Sequence, residues 1–177
     1  MAVIGLESEP VEVEADTSQG IHFLIVGLPD TAVQESKERV RSAIKNSGFE
    51  FPRGKVVVNL APADIKKQGP SFDLPIAVSI LKKTGQIPDT FAGSPQEIFA
   101  GELSLEGELR TITGVLAMAI SAKALGAESF YVPAANAAEA ALVPGPKIFA
   151  VENLEQLARH LRGEQIIEPY EKTLDSL

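Results

Sequence analysis

The chain has 177 residues, of which 45% are hydrophobic and 23% are charged, and its formal net charge is −8. This acidic balance argues against the chain being a main nucleic-acid-contacting surface, because phosphate binding depends on clustered Lys and Arg. The chain contains no cysteine, which excludes disulfides, thiolate catalysis and cysteine-based metal sites.

The apolar segments are too short to span a membrane, and the sequence predicts a cytoplasmic protein. No apolar run approaches the ~20 residues that span a bilayer. The first residues also lack the basic-then-apolar pattern of a signal peptide. We therefore expect a cytoplasmic domain at residues 1–163, followed by a linker or tail at 164–177.

The predicted elements alternate between strands and helices along the chain. Strands show period-two alternation or short apolar runs, and helices show apolar residues at three- and four-residue spacing. In chain order we predict strands at 3–15, 21–28, 55–60, 98–105, 108–112, 130–132 and 147–151, and helices at 31–47, 74–83, 115–125, 136–142 and 154–161. This order predicts an α+β, or mixed α/β, fold in one layered domain.

Turn and capping residues predict how several of these elements connect. The turn cluster at 16–20 predicts that the first two strands form a hairpin, and Glu106-Gly107 predicts a second hairpin. Asp30 and Asn153 are predicted N-caps of the helices that follow them.

Ser71 is the main candidate for chemistry. It follows a Gly-Pro turn at the mouth of the second predicted helix. Its hydroxyl could cap that helix, which is worth ~1 kcal/mol, or it could be a nucleophile activated by a desolvated lysine amine. The cap is the simpler interpretation because the sequence gives no lysine a buried position; the lysines near enough to consider are at positions 66, 67, 82, 83 and 123.

Other chemistry has little support. The pattern Gly-x-x-x-x-Gly-Lys-Ser/Thr does not occur, so the chain has no recognisable ATP site. His22 and His160 have no partner at metal-ligand spacing, and we predict core or surface roles for them and no metal site. Asp73 could be a helix cap or a ligand, but one carboxylate is too little to predict a metal. Without a base histidine, a Ser-His-Asp triad is not supported.

Contact with DNA would have to use local basic groups against an overall negative field. One group is Lys37, Arg39, Arg41 and Lys45, and the other is Arg53 with Lys55. We interpret the first group as the solvated face of a helix.

Four segments point to a known family: IVGLPDTAVQESKERVRSAIKNSGFEFP, VNLAPADIKKQGPSFDLPIAVSIL, TGQIP and GELSLEGELRTITGVL. They closely resemble the amino-terminal domain of the ComM/YifB family of magnesium-chelatase-like proteins, from about residue 3 to about residue 165. The resemblance implies that the full-length protein continues into an AAA+ ATPase module, which would bind ATP and Mg²⁺, so we expect no cofactor in this chain. It also implies a hexamer that drives DNA branch migration during natural transformation.

Three segments carry a more distant resemblance: GPSFD, GELSLEGELRTITGVLAMA and FYVPAANAAEAALVPG. They are similar to the proteolytic domain of Lon proteases, which implies a Lon-like fold of the ribosomal-protein-S5-domain-2-like class. The resemblance places Ser71 at the nucleophile and Leu116 where the catalytic lysine should be. Phe72 and Asp73 replace two small residues, and the bulk of Phe72 would narrow the space for a peptide. A serine hydroxyl without a base is a weak nucleophile.

Three functional hypotheses follow from these resemblances. The preferred one is a non-catalytic Lon-protease-like domain that serves an AAA+ motor in assembly, partner docking or DNA positioning, with Ser71 kept as a helix cap. The second is a serine-lysine peptidase that uses Ser71 with a relocated amine from Lys66, Lys67 or Lys123. The third is part of a magnesium-chelatase-like ATPase subunit, which would need an ATP-binding motif outside these residues.

Overall fold

The computed structural model describes residues 3–7, 9–89 and 96–172. Within these residues, seven strands form one sheet and two short strands form a hairpin beside it. In chain order the strands are β1 (Val3–Leu6), β2 (Pro10–Ser18), β3 (Phe23–Val26), β4 (Lys55–Ala61), β5 (Glu97–Phe99), β6 (Glu102–Leu103), β7 (Leu109–Arg110), β8 (Ser129–Pro133) and β9 (Lys147–Val151).

The described residues contain five helices, and the first and last of them begin at the predicted caps. They are α1 (Thr31–Asn46), α2 (Asp73–Lys83), α3 (Val115–Ala124), α4 (Ala137–Ala140) and α5 (Leu154–Leu161). The Asp30 carboxylate accepts a hydrogen bond from Val33 N at 2.8 Å, and the Asn153 side chain accepts one from Gln156 N at 2.8 Å. Both N-cap predictions are therefore confirmed, because each side-chain oxygen satisfies a backbone N–H of the first turn.

The sheet has the strand order β3-β4-β2-β1-β5-β8-β9. β2 runs antiparallel to both of its neighbours, β1 and β4. All other neighbouring strands of this sheet are parallel. The predicted mixed α/β fold is thus confirmed, with a mostly parallel sheet.

The predicted hairpin between residues 3–15 and 21–28 is wrong. Residues 3–15 contain two strands, β1 and the first part of β2, and these pair with each other. β4 lies between β2 and β3, and β3 pairs with β4 in parallel. Period-two alternation identifies a strand and its wet face but carries no information about which strand lies next to it, so the turn cluster at 16–20 was misleading.

The second predicted hairpin is confirmed around Glu106-Gly107, where β6 and β7 pair. It is shorter than predicted, because residues 97–99 belong to the main sheet and pair with β1 and β8. The chain leaves the sheet at Ala100 and Gly101. Their N–H groups donate to Tyr131 O and Ser71 O, each at 3.0 Å.

Apolar residues cover the two faces of the sheet in two clusters. One cluster packs α1, α2 and α5 against one face and includes Tyr131 and Phe149. The other packs α3 and α4 against the opposite face of the β1-β5-β8-β9 half and includes Phe130 and Ile148. Neighbouring residues on one strand therefore enter opposite layers, as strand alternation requires.

Residues 164–172 form neither helix nor strand, and they lie against the domain. Ile167 N donates to Nδ1 of His160 at 2.9 Å, and Tyr170 N donates to Ile148 O at 2.6 Å. The predicted boundary after residue 163 stays a prediction. In the part of the chain that the structure describes, every helix is too short or too polar to cross a lipid bilayer.

Candidate functional site

A cleft of about 460 Å³ lies beside Ser71. Its walls come from segments that follow β1, β4, β5 and β7. They are Glu7, residues 68–71, Glu102, residues 111–114, Ala117 and Met118. The cleft therefore opens beyond the carboxyl ends of parallel strands, which is the usual place for a ligand in sheets of this type.

The backbone around Ser71 is fixed by a turn and two hydrogen bonds. Gly69 has a φ of 78°, which suits glycine, and it leads into the 3₁₀ turn Pro70–Phe72. Gly101 N donates to Ser71 O, and Leu74 N donates to Gly101 O, each at 3.0 Å. These two hydrogen bonds join the turn to the segment between β5 and β6 and fix the backbone of Ser71. The residue is 8% exposed.

Ser71 does not cap α2, so that interpretation is wrong. The 3₁₀ turn runs directly into the helix, and Phe72 occupies the cap position in a helical conformation. The first turn of α2 has no side-chain cap, and the Ser71 hydroxyl has no hydrogen-bond partner among the described residues. Ser71 lies one residue too early to reach the free N–H groups, and it lines the cleft instead.

Phe72 does not narrow the cleft, contrary to the prediction. Its side chain is fully buried in the core, and it does not line the cleft. A Cβ added to Gly5 would lie 3.2 Å from Phe72 Cδ1, so the ring packs directly on β1. Residues of a 3₁₀ turn are about 120° apart, which lets Ser71 and Phe72 point in different directions.

Lys67 is the lysine candidate nearest to Ser71 in sequence, and its amine is used elsewhere. The side chain is fully buried. Its ammonium donates to Gly27 O at 2.7 Å and also to Pro62 O. Burial lowers the pKa of the Lys67 amine. The amine is thus bound to two backbone carbonyls and makes no hydrogen bond to Ser71.

The other basic candidates do not line the cleft either. Lys66 is exposed, and Lys123 lies in the last turn of α3, where a Cβ added to Gly145 would lie 3.3 Å from its Cγ. Leu116, at the position that the resemblance assigns to the lysine, lies in the first turn of α3 with 39% exposure. Its backbone N donates to Glu139 at 3.3 Å. Among the described residues, no lysine or histidine lines the cleft.

The titratable groups in the cleft are two carboxylates, Glu7 and Glu102. Burial raises the pKa of Glu7. Neither carboxylate makes a hydrogen bond to Ser71 in the described structure, so no base is in place to take the serine proton. Sequence patterns missed both residues as cleft residues, because neither belongs to a motif: Glu7 directly follows β1, and Glu102 begins β6.

Asp73 is neither a cap nor a ligand. Its buried carboxylate accepts hydrogen bonds from Arg39 at 2.7 and 3.1 Å, from Leu103 N at 3.0 Å and from the Ser36 hydroxyl. This cluster joins α1, α2 and β6 behind the Ser71 turn. Because Arg39 pairs with the buried Asp73 carboxylate, it does not belong to the solvated basic face that was predicted for α1. Among the described residues, no three His, Asp or Glu side chains are placed to hold a metal ion.

His160 has a packing role, as predicted for a histidine without metal-ligand spacing. Its ring lies 5.1 Å from the Phe149 ring and 5.7 Å from the Tyr131 ring, centroid to centroid. Nε2 lies 3.2 Å from the Tyr131 hydroxyl. His22 lies elsewhere, at the amino end of β3.

Comparison with known proteins gives a consistent set of matches. A family model described as subunit ChlI of Mg-chelatase matches residues 13–136, which include Ser71, Asp73 and Leu116. Protein YifB of Salmonella typhimurium is 39% identical over 94% of this chain and 33% of its own length. Competence protein ComM of Haemophilus influenzae is 36% identical over 93% of this chain and 32% of its own.

A protein of Mycobacterium tuberculosis, Rv2897c, is 40% identical over 92% of this chain and 32% of its own length. The chain thus spans about a third of the length of the curated relatives it matches.

Proposed function

This chain belongs to the ComM/YifB family of magnesium-chelatase-like AAA+ proteins, and from that membership we propose that it is a non-catalytic domain with a Lon-protease-like fold. Its role is to serve an AAA+ ATPase motor in assembly, partner docking or DNA positioning. In this proposal ATP and Mg²⁺ belong to the motor module, and this chain binds neither.

One observation carries the proposal: the Ser71 cleft has a serine and, among the described residues, no base hydrogen-bonded to it. Ser71 lines the cleft with its hydroxyl unpartnered, and no lysine or histidine joins it among the described lining residues. The position expected for the lysine holds Leu116, which has no amine. A serine hydroxyl near its free pKa yields almost no alkoxide at neutral pH, so this arrangement supports a role without peptide hydrolysis.

The competing hypothesis is a serine-lysine peptidase with a relocated amine. Lys67 is the best placed by sequence, but freeing its ammonium would leave Gly27 O and Pro62 O without their donor. A fluorophosphonate probe tests the hypothesis directly on the 177-residue chain. We expect no labelling of wild type above the level of Ser71→Ala, and serine-specific labelling lost in Ser71→Ala would overturn the non-catalytic proposal.

The role beside a motor is tested in the full-length protein. We expect that deleting residues 1–163 weakens hexamer formation, measured by native mass, or branch migration of a four-way DNA junction, measured by gel. Full-length Ser71→Ala is the matched control, and it should retain both properties because the proposal uses no serine chemistry. If the deletion left both properties unchanged, the proposed role would be wrong.

A further inference from the structure

A second cleft lies at the amino end of the parallel strands, at the end of the sheet opposite Ser71. Its volume is about 330 Å³, and its lining is formed by residues 21–23, Arg41, Lys45 and residues 51–54. A neighbouring hollow of about 460 Å³ shares Lys45 and residues 51–53 with it. We call this pair the Arg41 cleft. It brings together α1, the start of β3 and the loop before β4.

The Arg41 cleft concentrates unpaired positive charge in an acidic chain. Arg41, Lys45 and Arg53 line its first hollow, together with His22 and without any Asp or Glu, and Glu50 is the carboxylate that lines the neighbouring hollow. None of these cations takes part in an ion pair among the described residues, whereas Arg39, Lys83, Arg159 and Arg162 all do. Cations that share a cleft repel one another, and a bound anion would relieve that repulsion.

Arg41 is held in place by aromatic rings. Its guanidinium lies 5.1 Å from the centroid of Phe51 and 5.9 Å from that of Phe23, which is within cation–π range. The two rings are themselves 5.3 Å apart, so they form one support for the cation. Arg41 Nε is buried and has no hydrogen-bond partner among the described residues. Nε is closed to the cleft, so a bound anion would reach the guanidinium through its Nη groups, which make no hydrogen bond among the described residues.

We propose that the Arg41 cleft binds a phosphate group. A guanidinium presents a planar fork of donors that matches phosphate oxygens in a bidentate manner, and an ammonium adds a point charge. Two sources share this chemistry, a nucleic-acid strand and a free phosphate compound, and the test distinguishes them. This site is at the opposite end of the sheet from Ser71, and the inference does not rest on the proposed function.

The binding test uses two probes on the intact 177-residue chain. Inorganic pyrophosphate, followed by calorimetry, represents a free phosphate compound. A fluorescent single-stranded oligonucleotide, followed by anisotropy at about 50 and about 200 mM salt, represents a strand, and its affinity should fall steeply with salt. Arg53→Gln and Lys45→Gln change exposed residues, so folding should be retained, and we expect the double variant to bind about tenfold or more weakly.

Lys147→Gln is the matched control, because it removes one exposed positive charge from β9, away from the Arg41 cleft. It should change affinity by less than about twofold. Oligonucleotide binding that weakens in the double variant supports a strand as the source, and pyrophosphate binding alone that weakens supports a free phosphate compound. Failure of both probes to bind, retained binding in the double variant, or an equal loss in Lys147→Gln would each overturn the proposal.

Discussion

The carboxylate of Asp73 is fully buried, and Arg39 holds it with two hydrogen bonds. Arg39 Nε lies 2.7 Å from Oδ2, and Nη2 lies 3.1 Å from Oδ1. The two residues are 34 positions apart and come from α1 and α2. Leu103 N adds a bond from β6. This pair therefore fixes two helices and the β6–β7 hairpin relative to one another, directly behind the turn that carries Ser71.

Replacing Arg39 by Met should destabilise the fold strongly. The change leaves the Asp73 carboxylate buried without its cation, which costs about 3–5 kcal/mol for buried pairs. Urea unfolding measures the free energy of unfolding. Arg159→Met is the control, because the Arg159–Glu155 pair is half exposed and is worth at most about 1 kcal/mol. Equal losses in the two variants would contradict the structural role of the Arg39–Asp73 pair.

Ser71→Ala should leave the free energy of unfolding within about 0.5 kcal/mol of wild type, because the hydroxyl makes no hydrogen bond. Asp30→Ala is the comparison. Asp30 caps α1 through Val33 N and also accepts from Gly69 N at 3.2 Å, so its loss should cost about 1–2 kcal/mol. If Ser71→Ala cost as much as Asp30→Ala in urea unfolding, the serine would be a cap after all.

Lys67→Met should cost about 1–3 kcal/mol, although Met nearly matches the length of the side chain. The substitution leaves Gly27 O and Pro62 O without the ammonium that satisfies them. Lys66→Met is the matched control at the neighbouring, exposed position and should be near neutral. Thermal and urea unfolding check both, and a neutral Lys67→Met would show that the buried amine contributes nothing net.

Gly27→Ala should be severely destabilising or should prevent folding. A Cβ at Gly27 would lie 2.0 Å from Leu60 O, so β3 could not approach β4, and the φ of 108° adds strain. Gly48→Ala is the control, since its φ is 86° but no atom lies within 4 Å of the added Cβ. That change should cost only about 1–2 kcal/mol. Comparable expression and unfolding midpoints for the two variants would contradict the close approach of β3 and β4.

His160 should make the fold less stable as the pH falls from about 7.5 to about 5.5. Burial lowers the pKa of the folded imidazole below its ordinary value of 6.5, so the unfolded chain takes up the proton more readily in this range. Protonation of Nδ1 would also remove the lone pair that accepts the hydrogen bond from Ile167 N. The stabilisation is therefore complete above the unfolded pKa and is lost as the pH falls from there through the lower pKa of the folded state.

Two measurements check the His160 prediction. The urea midpoint of wild type should fall more between these pH values than that of His160→Gln. Proton NMR of the His160 ring should give a pKa below about 6.5. An NMR pKa at or above that value, or equal pH dependence in the two proteins, would contradict it.

Most elements of the fold could be predicted from sequence because their signals are local. Asp30 and Asn153 are caps whose hydrogen bonds reach only three residues along the chain. The family resemblance, carried by contiguous segments, is also confirmed. The neighbour of β2 could not be predicted, since its pairing with β4 joins residues far apart in the chain, such as Ser18 and Lys55, and no local pattern records such a contact.

The candidate site was predicted less completely. Ser71 lines the cleft, but its predicted cap role is wrong because the 3₁₀ turn before α2 shifts it by one residue. Glu7 and Glu102 carry no motif and enter the cleft only because β1 and β5 lie side by side. Arg53 and Arg41, interpreted as parts of separate basic groups, meet at one cleft.

The sequence by itself determined the composition, the elements and their caps, and the presence of a serine without an obvious base, since these depend on neighbours within a few residues. Only the tertiary structure decided which distant side chains share a place. In the folded chain the Lys67 ammonium donates to two backbone carbonyls, Arg39 donates to the Asp73 carboxylate, and Arg41 Nε has no hydrogen-bond partner among the described residues. Whether a buried charge is paired depends on contacts between residues far apart in the chain, and local patterns carry no information about such contacts.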